Sequence, residues 1–150
     1  MIYHLAQLNL AQSKFSSPNA PGMQSFRDNI QKVHQVAFQA EGFIWMWDES
    51  EYPIADDDPF QDPTLLVNMS VWRDIETLKH FTYKTFHVEI FKRKKEWFKH
   101  FGKAYQVMWW IKEGHLPTLK EAKAKLDQLE THGPTIEAFT FSHPFHPSST

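Results

Sequence analysis

The order of apolar and polar residues along the chain predicts five strands and three helices. Short stretches that alternate, or that collect branched and aromatic residues, indicate strands, and these are residues 2–10, 43–49, 64–72, 104–114 and 137–142. Apolar residues at helical spacing indicate helices at residues 23–40, at residues 75–101 and in the segment after Thr118. The order of elements is therefore β-α-β-β-α-β, followed by a further α-β pair.

Capping residues mark the ends of these helices. Gly42 and Gly133 follow helical segments, where a glycine commonly ends the helix. Asp74 can cap the second helix, and Thr118 with Glu121 forms a capping box at the start of the third.

The first six elements predict an α+β fold, a ferredoxin-like βαββαβ sandwich in which two helices cover one face of an antiparallel sheet. The third helix and the last strand form a C-terminal α-β extension. No internal repeat or linker divides the chain, so residues 1–142 are predicted to form one domain, and residues 143–150 a loose tail.

Both faces of the predicted sheet carry large apolar residues. Residues 45–47 and 108–110 are runs of tryptophan and methionine, whereas a strand with one wet face should alternate. A second subunit packed sheet on sheet would cover the additional apolar face, which predicts a homodimer and a dimeric α+β barrel. Cover by the chain's own third helix is the alternative.

Composition excludes several classes of function. The 150 residues contain no cysteine, which excludes disulfides, thiolate metal sites and cysteine nucleophiles. A net charge of −2 argues against nucleic-acid binding, and no apolar run is long enough for a membrane span. We expect a cytoplasmic protein with no nucleic-acid or membrane partner. The 13 Phe, 6 Trp and 4 Tyr suit a wide core, an interface or a pocket for a flat ligand.

Polar side chains occur at alternate positions of two otherwise apolar strands. Gln7 and Asn9 share one face of the first strand, and Asn68, Ser70 and Trp72 share one face of the third. These strands are neighbours in the predicted sheet. Buried amides and hydroxyls need partners, so the pattern predicts either a small-molecule pocket or a hydrogen-bonded interface.

The second predicted helix carries two histidines, His80 and His87, on the same side as Tyr83 and Phe91. Seven residues along a helix rise about 10 Å, so the two histidines cannot bind one metal ion. A metal site is therefore not predicted. One histidine can still be an axial haem ligand or a base in a pocket, or both can serve packing. His115 and His132, in loops beside prolines, are expected to fix the loops around the third helix.

Five segments resemble one bacterial family of unknown function across nearly the whole chain: LAQLNLA, LLVNMSVW, HFTYKTFHVEIFKRKKEWF, WWIKEGHLPT and HGPTIEAFTF. The resemblance implies membership of the dimeric α+β-barrel superfamily, which includes antibiotic-biosynthesis monooxygenases, haem-degrading monooxygenases and chlorite-dismutase-like proteins. It implies the fold and the dimer but no single activity, because the superfamily hosts several chemistries.

These observations together predict a homodimer that binds a flat, largely apolar metabolite. As an enzyme it would be a cofactor-independent monooxygenase for a phenolic or quinone-like substrate, with His87 as the base and Tyr83 supporting it. The predicted substrate-binding residues are Asn9, Asn68, Ser70, Trp72, His80, Phe91 and Trp109. The alternatives are a haem-dependent enzyme, with His87 as the axial ligand, and a non-catalytic ligand-binding or stress-response module.

Overall fold

The structure is a computed structural model that describes residues 2–15, 21–47, 59–60, 65–86, 98–99 and 105–147. Five strands are present in this part of the chain: β1 (Tyr3–Ser13), β2 (Phe43–Met46), β3 (Leu65–Trp72), β4 (Phe98–Lys99) and β5 (Gln106–Lys112). The three described α-helices are α1 (Gln24–Phe38), α2 (Ile75–Phe86) and α3 (Leu119–His132), and a short 3-10 helix, Pro21–Met23, precedes α1.

The strands form an antiparallel sheet with β1 at its centre. One edge of β1 pairs with β3, which in turn pairs with β2. The other edge pairs with β5 over residues 3–9 and with the two-residue strand β4 at Gln12 and Ser13. The order is thus β2-β3-β1-β5, with β4 beside the end of β1. This arrangement confirms the predicted α+β class.

Two predicted elements differ from the structure. The second helix was expected to continue to residue 101, but Phe98 and Lys99 pair with β1 as a strand; residues 87–97 lie outside the described ranges. Pairing with a neighbouring strand outweighs the helical pattern at these two positions. The fifth predicted strand is instead an isolated bridge, in which Met108 and Phe139 exchange backbone hydrogen bonds of 2.8 and 2.9 Å.

Residues 143–147 of the predicted loose tail contact the sheet. The indole nitrogen of Trp110 donates a 2.8 Å hydrogen bond to the carbonyl oxygen of Phe145. The ring of Phe139 lies within 6.3 Å of the Trp110 ring and 6.0 Å of the Phe145 ring, measured between centroids. The tail is therefore tied to β5 at this point.

The sheet has two faces, and helices contact both. The face that carries Leu5, Gln7 and Asn9 of β1, called here the α1 face, packs against α1 and α2. The opposite face carries Ala6, Leu8 and Leu10, and is called the α3 face. The core therefore lies on both sides of β1.

Helix α3 covers part of the second apolar face. Its buried residues join the cluster of Val107, Trp109 and Ile111; they are Leu119, Ala122, Leu126 and Leu129. The alternative considered for this face, cover by the third helix, therefore holds on the β5 side. On the β2–β3 side, Trp45 and Val67 are only half-buried.

The N-terminus of α3 is fastened to the sheet through one carboxylate. Thr118 caps the helix by accepting a hydrogen bond from the backbone N–H of Glu121 at 3.2 Å. One carboxylate oxygen of Glu121 accepts a 2.7 Å hydrogen bond from the indole N–H of buried Trp109. The other oxygen lies 2.7 Å from Nε2 of His115. The predicted Thr118 cap and the role of His115 in fixing this loop are confirmed, whereas the Glu121 carboxylate binds Trp109 and His115 instead of completing a capping box with the Thr118 backbone N–H.

The N-terminus of α2 begins with the predicted cap. Oδ1 of Asp74 accepts a 2.8 Å hydrogen bond from the backbone N–H of Thr77, and Arg73 Nε donates to Oδ2 at 3.1 Å. Partial burial raises the pKa of the Asp74 carboxyl, but the hydrogen bonds from Thr77 and Arg73 outweigh it and hold that pKa below its ordinary value.

Among the helices of the described ranges, none combines the length and the apolar character needed to cross a bilayer.

We predict that Glu121→Ala lowers the free energy of unfolding by about 1–3 kcal/mol, because it leaves the buried Trp109 indole without its acceptor. His115→Ala should cost less, about 0–1 kcal/mol, since the His115 side chain is 47% exposed. Urea titrations followed by circular dichroism measure both. The control is Glu130→Ala on the exposed side of α3, with a change within about 0.5 kcal/mol. Equal losses for Glu121→Ala and Glu130→Ala would contradict the anchoring role.

The Asp74 cap predicts a stability difference that depends on pH. Because folding lowers the pKa of Asp74, ionisation stabilises the fold above the unfolded pKa of about 3.9, and this contribution disappears as the pH falls through the folded pKa. Asp74→Asn keeps an acceptor for the Thr77 N–H but removes the charge, so its deficit in unfolding free energy should shrink on acidification. Asp74→Ala should cost about 0.5–2 kcal/mol at neutral pH. A deficit of Asp74→Asn that is constant with pH would contradict this account.

Candidate functional site

Three rows of side chains cross the α1 face of the sheet, and their polarity changes from row to row. The register places in the first row Phe43, Trp72, Leu5 and Trp110. The second row contains Met46, Ser70, Gln7 and Met108. The third row contains only amides, Asn68, Asn9 and Gln106. The face therefore passes from apolar, through mixed, to amide within four residues of β1.

A continuous hydrogen-bond chain joins the rows. The indole N–H of Trp72 donates to Ser70 Oγ at 2.9 Å. The side-chain amide of Gln7 donates both to Ser70 Oγ and to Asn68 Oδ1, each at 2.8 Å. Two donors thus converge on the Ser70 hydroxyl, and the chain ends at Asn68.

Burial falls along the same direction. Trp72 is fully buried, Ser70 is 2% exposed and Gln7 is 4% exposed. Asn68 is half-buried, and Asn9 is exposed although it occupies the central strand. Of the three rows, the amide row is consequently the one in which solvent reaches the central strand.

Helix α1 extends along the same face. Near its start, the Ser13 hydroxyl lies 3.6 Å from the sulfur of Met23, and both residues are buried. Near its end, Ala37 joins the buried cluster of Leu5 and Trp72. Fifteen residues of helix span about 22 Å, so the path of α1 follows β1 from Ser13 back to Leu5.

The side of α1 turned to the sheet is apolar but incompletely buried. Phe26, Ile30 and Val33 share one helical side with Ala37, which is fully buried against the sheet. All three are only half-buried. The middle of α1 therefore lies along the part of β1 that carries Asn9, and we call the region between this helical side and the amide row the α1 slot. Its roof is Phe26, Ile30 and Val33, and its floor is Asn68, Asn9 and Gln106.

The α1 slot combines an apolar roof with a neutral polar floor. Aromatic and aliphatic side chains with a few convergent polar groups are the usual lining of a small-molecule site. The floor offers amide donors and acceptors at the edge of the slot, where the polar rim of a flat ligand can bind. It supplies no formal charge, so the slot suits an uncharged ligand body.

Trp72 does not offer a free ring to a ligand. Trp72 is a predicted substrate-binding residue, but its ring stacks on Phe81 at 5.0 Å between centroids and meets the edge of Phe43 at 5.5 Å. Trp72 is fully buried. Its contribution to the site is the N–H that it donates to Ser70.

Trp109 lies outside the α1 slot. It pairs with Ala6 and faces α3, whereas Asn9 and Asn68 lie on the opposite side of the sheet. Successive strand residues point to opposite faces, so only Trp110 of the two adjacent tryptophans shares the α1 face. Trp109, a predicted substrate-binding residue, therefore lies on the other face of the sheet from Asn9 and Asn68.

His80 and Tyr83 are exposed rather than turned inward. The side of α2 that contacts the core carries Ile75 and Leu78, with Phe81 half-buried beside them. The helical pattern placed His80 and Tyr83 on one side with Phe91, over a helix predicted to extend to residue 101; Phe98, within that range, is a β4 residue. The other two assigned positions, His87 and Phe91, lie outside the described residues.

Two parts of the slot were missed by the sequence analysis. Gln106 lies beside Asn9 only through the register of β5, although its place two residues before Met108 was a signal for the same face. Ile30 and Val33 are apolar positions of the first predicted helix, and their spacing does not indicate how completely the sheet buries them.

The described residues contain no cluster of three or more acidic, histidine or cysteine side chains that could hold a metal ion. The proposed axial haem ligand, His87, lies outside them. No haem geometry follows from the structure.

The chain belongs to the family described as "Domain of unknown function (DUF3291)", which matches residues 4–150. This confirms the resemblance to a family of unknown function. A search of curated proteins gives no match.

Proposed function

We propose that this DUF3291 protein binds a flat, largely apolar small molecule in the α1 slot. The observation that carries the proposal is the exposure of Asn9 on the central strand, along the path of a helix that is anchored to the same face at both ends. An amide in that position would normally be covered by the helix. Solvent access there indicates a space that a ligand can fill.

The lining supports a ligand of this kind. Half-buried Phe26, Ile30 and Val33 would gain apolar contacts if water in the slot were replaced by a ring system. Each 100 Å² of apolar surface removed from water is worth about 2.5 kcal/mol before the costs of association. The amide floor would bind polar groups on the edge of the ring.

A purely structural role explains the buried polar residues of this face but not the polar residues nearer to solvent. Gln7, Ser70 and Trp72 satisfy one another and are buried, as a structural network requires. Asn9 and Gln106 extend the polar row toward solvent beyond that network. Polar residues in this open row favour a binding site over a buried hydrogen-bond network with a structural role alone.

For the chemistry we propose the cofactor-independent oxidation of a phenolic or quinone-like ligand, which rests on the resemblance to the monooxygenase relatives. His87 as base lies outside the described residues, and exposed Tyr83 does not face the slot. Binding is therefore the primary proposal, and oxygen consumption in the presence of a bound phenol separates an enzyme from a non-catalytic binding module.

We propose further that the fold is a ferredoxin-like sandwich that forms a dimeric α+β barrel in the cytoplasm. The strand order β2-β3-β1-β5, with α1 and α2 on one face, supports the first part. Half-buried Trp45, Leu65 and Val67 on the part of the α3 face that α3 does not cover support a second subunit there.

We predict that fluorene, a flat tricycle without hydrogen-bonding groups, binds the protein at a saturable 1:1 stoichiometry in equilibrium dialysis. Ile30→Trp should weaken binding at least about tenfold, because the larger side chain fills the slot. The matched control is Gln35→Trp, the same substitution on the exposed side of α1, which should leave the affinity within about twofold.

Circular dichroism and thermal melting of both variants would establish that they fold. Val33→Phe, a smaller intrusion into the same space, provides a second folded variant if Ile30→Trp does not. Equal affinity of the native chain, Ile30→Trp and Val33→Phe would contradict the α1 slot as the binding site.

The dimer proposal predicts a native mass of twice the 17.7 kDa chain. Val67→Glu introduces a charge into the exposed part of the α3 face and should shift the mass to that of a single chain, as measured by light scattering or native mass spectrometry. The control is Glu113→Gln in the exposed turn after β5, with unchanged mass. A native chain that runs as a monomer at micromolar concentration would count against the barrel.

A further inference from the structure

We infer that the α1 slot selects ligands that present a hydrogen-bond acceptor, such as a carbonyl or phenolate oxygen, over ligands that present a donor. This inference rests on the proposed function and adds to it the chemical class of the group that the ligand directs at the floor. It follows from the direction of each hydrogen bond in the chain from Trp72 to Asn68.

At the buried end the indole nitrogen of Trp72 can only donate, and the side-chain nitrogen of Gln7 is placed to donate to the same hydroxyl. Trp72 Nε1 therefore occupies one lone pair of Ser70 Oγ, and Gln7 Nε2 occupies the other. A hydroxyl has two lone pairs and one proton. The hydrogen-bonding capacity that Ser70 has left is that of a donor.

The hydrogen bonds at the open end of the network also have a defined direction. Gln7 uses its two amide protons on Ser70 Oγ and Asn68 Oδ1. With its oxygen engaged by Gln7, the amide of half-buried Asn68 is held so that its NH₂ group is turned away from Gln7. The group at the open end of the network, the Asn68 NH₂, is therefore oriented to donate.

Burial makes this orientation matter for selectivity. Gln7 is almost completely buried, so reversing the chain would require its amide to turn over inside the core together with the amide of half-buried Asn68. A ligand donor set against the Asn68 NH₂ would leave two protons facing each other and its own lost hydrogen bonds to water unreplaced. A site built from oriented polar groups discriminates most strongly against such a ligand.

Three flat tricycles of almost equal shape test the inference. Fluorenone carries a carbonyl acceptor, carbazole carries an N–H donor in the matching position, and fluorene carries neither. We expect fluorenone to bind the native protein about tenfold more tightly than carbazole in equilibrium dialysis, with fluorene between them. Because the chain contains no cysteine, a carbonyl ligand meets no thiol with which to react.

Asn68→Asp reverses the polarity of the open end without changing its shape. At pH 8 the carboxylate still accepts from Gln7, but its second oxygen now faces the ligand as an acceptor, so the preference for fluorenone should fall at least about tenfold. The matched control, Gln35→Glu, makes the same amide-to-acid change on the exposed side of α1 and should leave the ratio of affinities unchanged.

The outcomes separate this inference from the proposed function. If Ile30→Trp and Val33→Phe bind all three tricycles as tightly as the native protein does, the slot is overturned and the inference with it. The same conclusion follows if the native protein binds none of the three. Slot binding in which carbazole equals or exceeds fluorenone would overturn the inference alone, since it corresponds to the reverse orientation of the two amides. The inference would also be overturned by an Asn68→Asp variant that binds fluorene normally and still prefers fluorenone over carbazole as strongly as the native protein does.

Discussion

The structure depends on the confinement of β1 between neighbours on both edges and helices on both faces. Its backbone pairs with β3 on one side and with β4 and β5 on the other, so its hydrogen bonds are made within the sheet. Residues 5–8 are all buried. A strand in that position cannot carry an unsatisfied polar side chain without a cost of about 1–3 kcal/mol. The presence of Gln7 there imposes the identity and direction of its partners on β3.

That constraint explains why the polar residues of β3 occur where they do. Ser70 is the residue opposite Gln7, and Asn68 lies two residues further along the same face. Between them they accept both amide protons of Gln7, while Ser70 also satisfies the indole of buried Trp72. Three side chains that would each be costly to bury alone become one network, and the network fixes the side-chain orientations at its solvent-exposed end. The packing of this face and the orientation of its solvent-exposed polar side chains thus have a common physical cause.

The sequence predicts features of the fold and the site that depend on neighbouring residues, but not those that depend on pairing between distant strands. Period-two alternation correctly put Gln7 with Asn9, and Asn68 with Ser70 and Trp72, because the faces of a strand are a local property. Register between distant strands is not local, which is why Gln106 was missed and why Trp109 was placed with the amides instead of Trp110. The start of α2 was predicted from its Asp74 cap, whereas the strand at Phe98 depends on its pairing with β1. The incomplete burial of Ile30 was beyond sequence reasoning, since an apolar helical side has the same spacing whether it touches the sheet or stands off from it.

The incomplete burial of the middle of α1 has a physical explanation. The helix meets the sheet at two buried points: Ala37 lies with Leu5 and Trp72, and Met23 lies against Ser13. Between these points the face presents Asn9 and Gln106, and close contact of Ile30 or Val33 with those amides would strip them of water without offering a partner. Incomplete contact there leaves Asn9 exposed to water, at the expense of apolar contacts on the helix. The flat ligand proposed above, with an apolar body and a polar edge, would satisfy both surfaces at once.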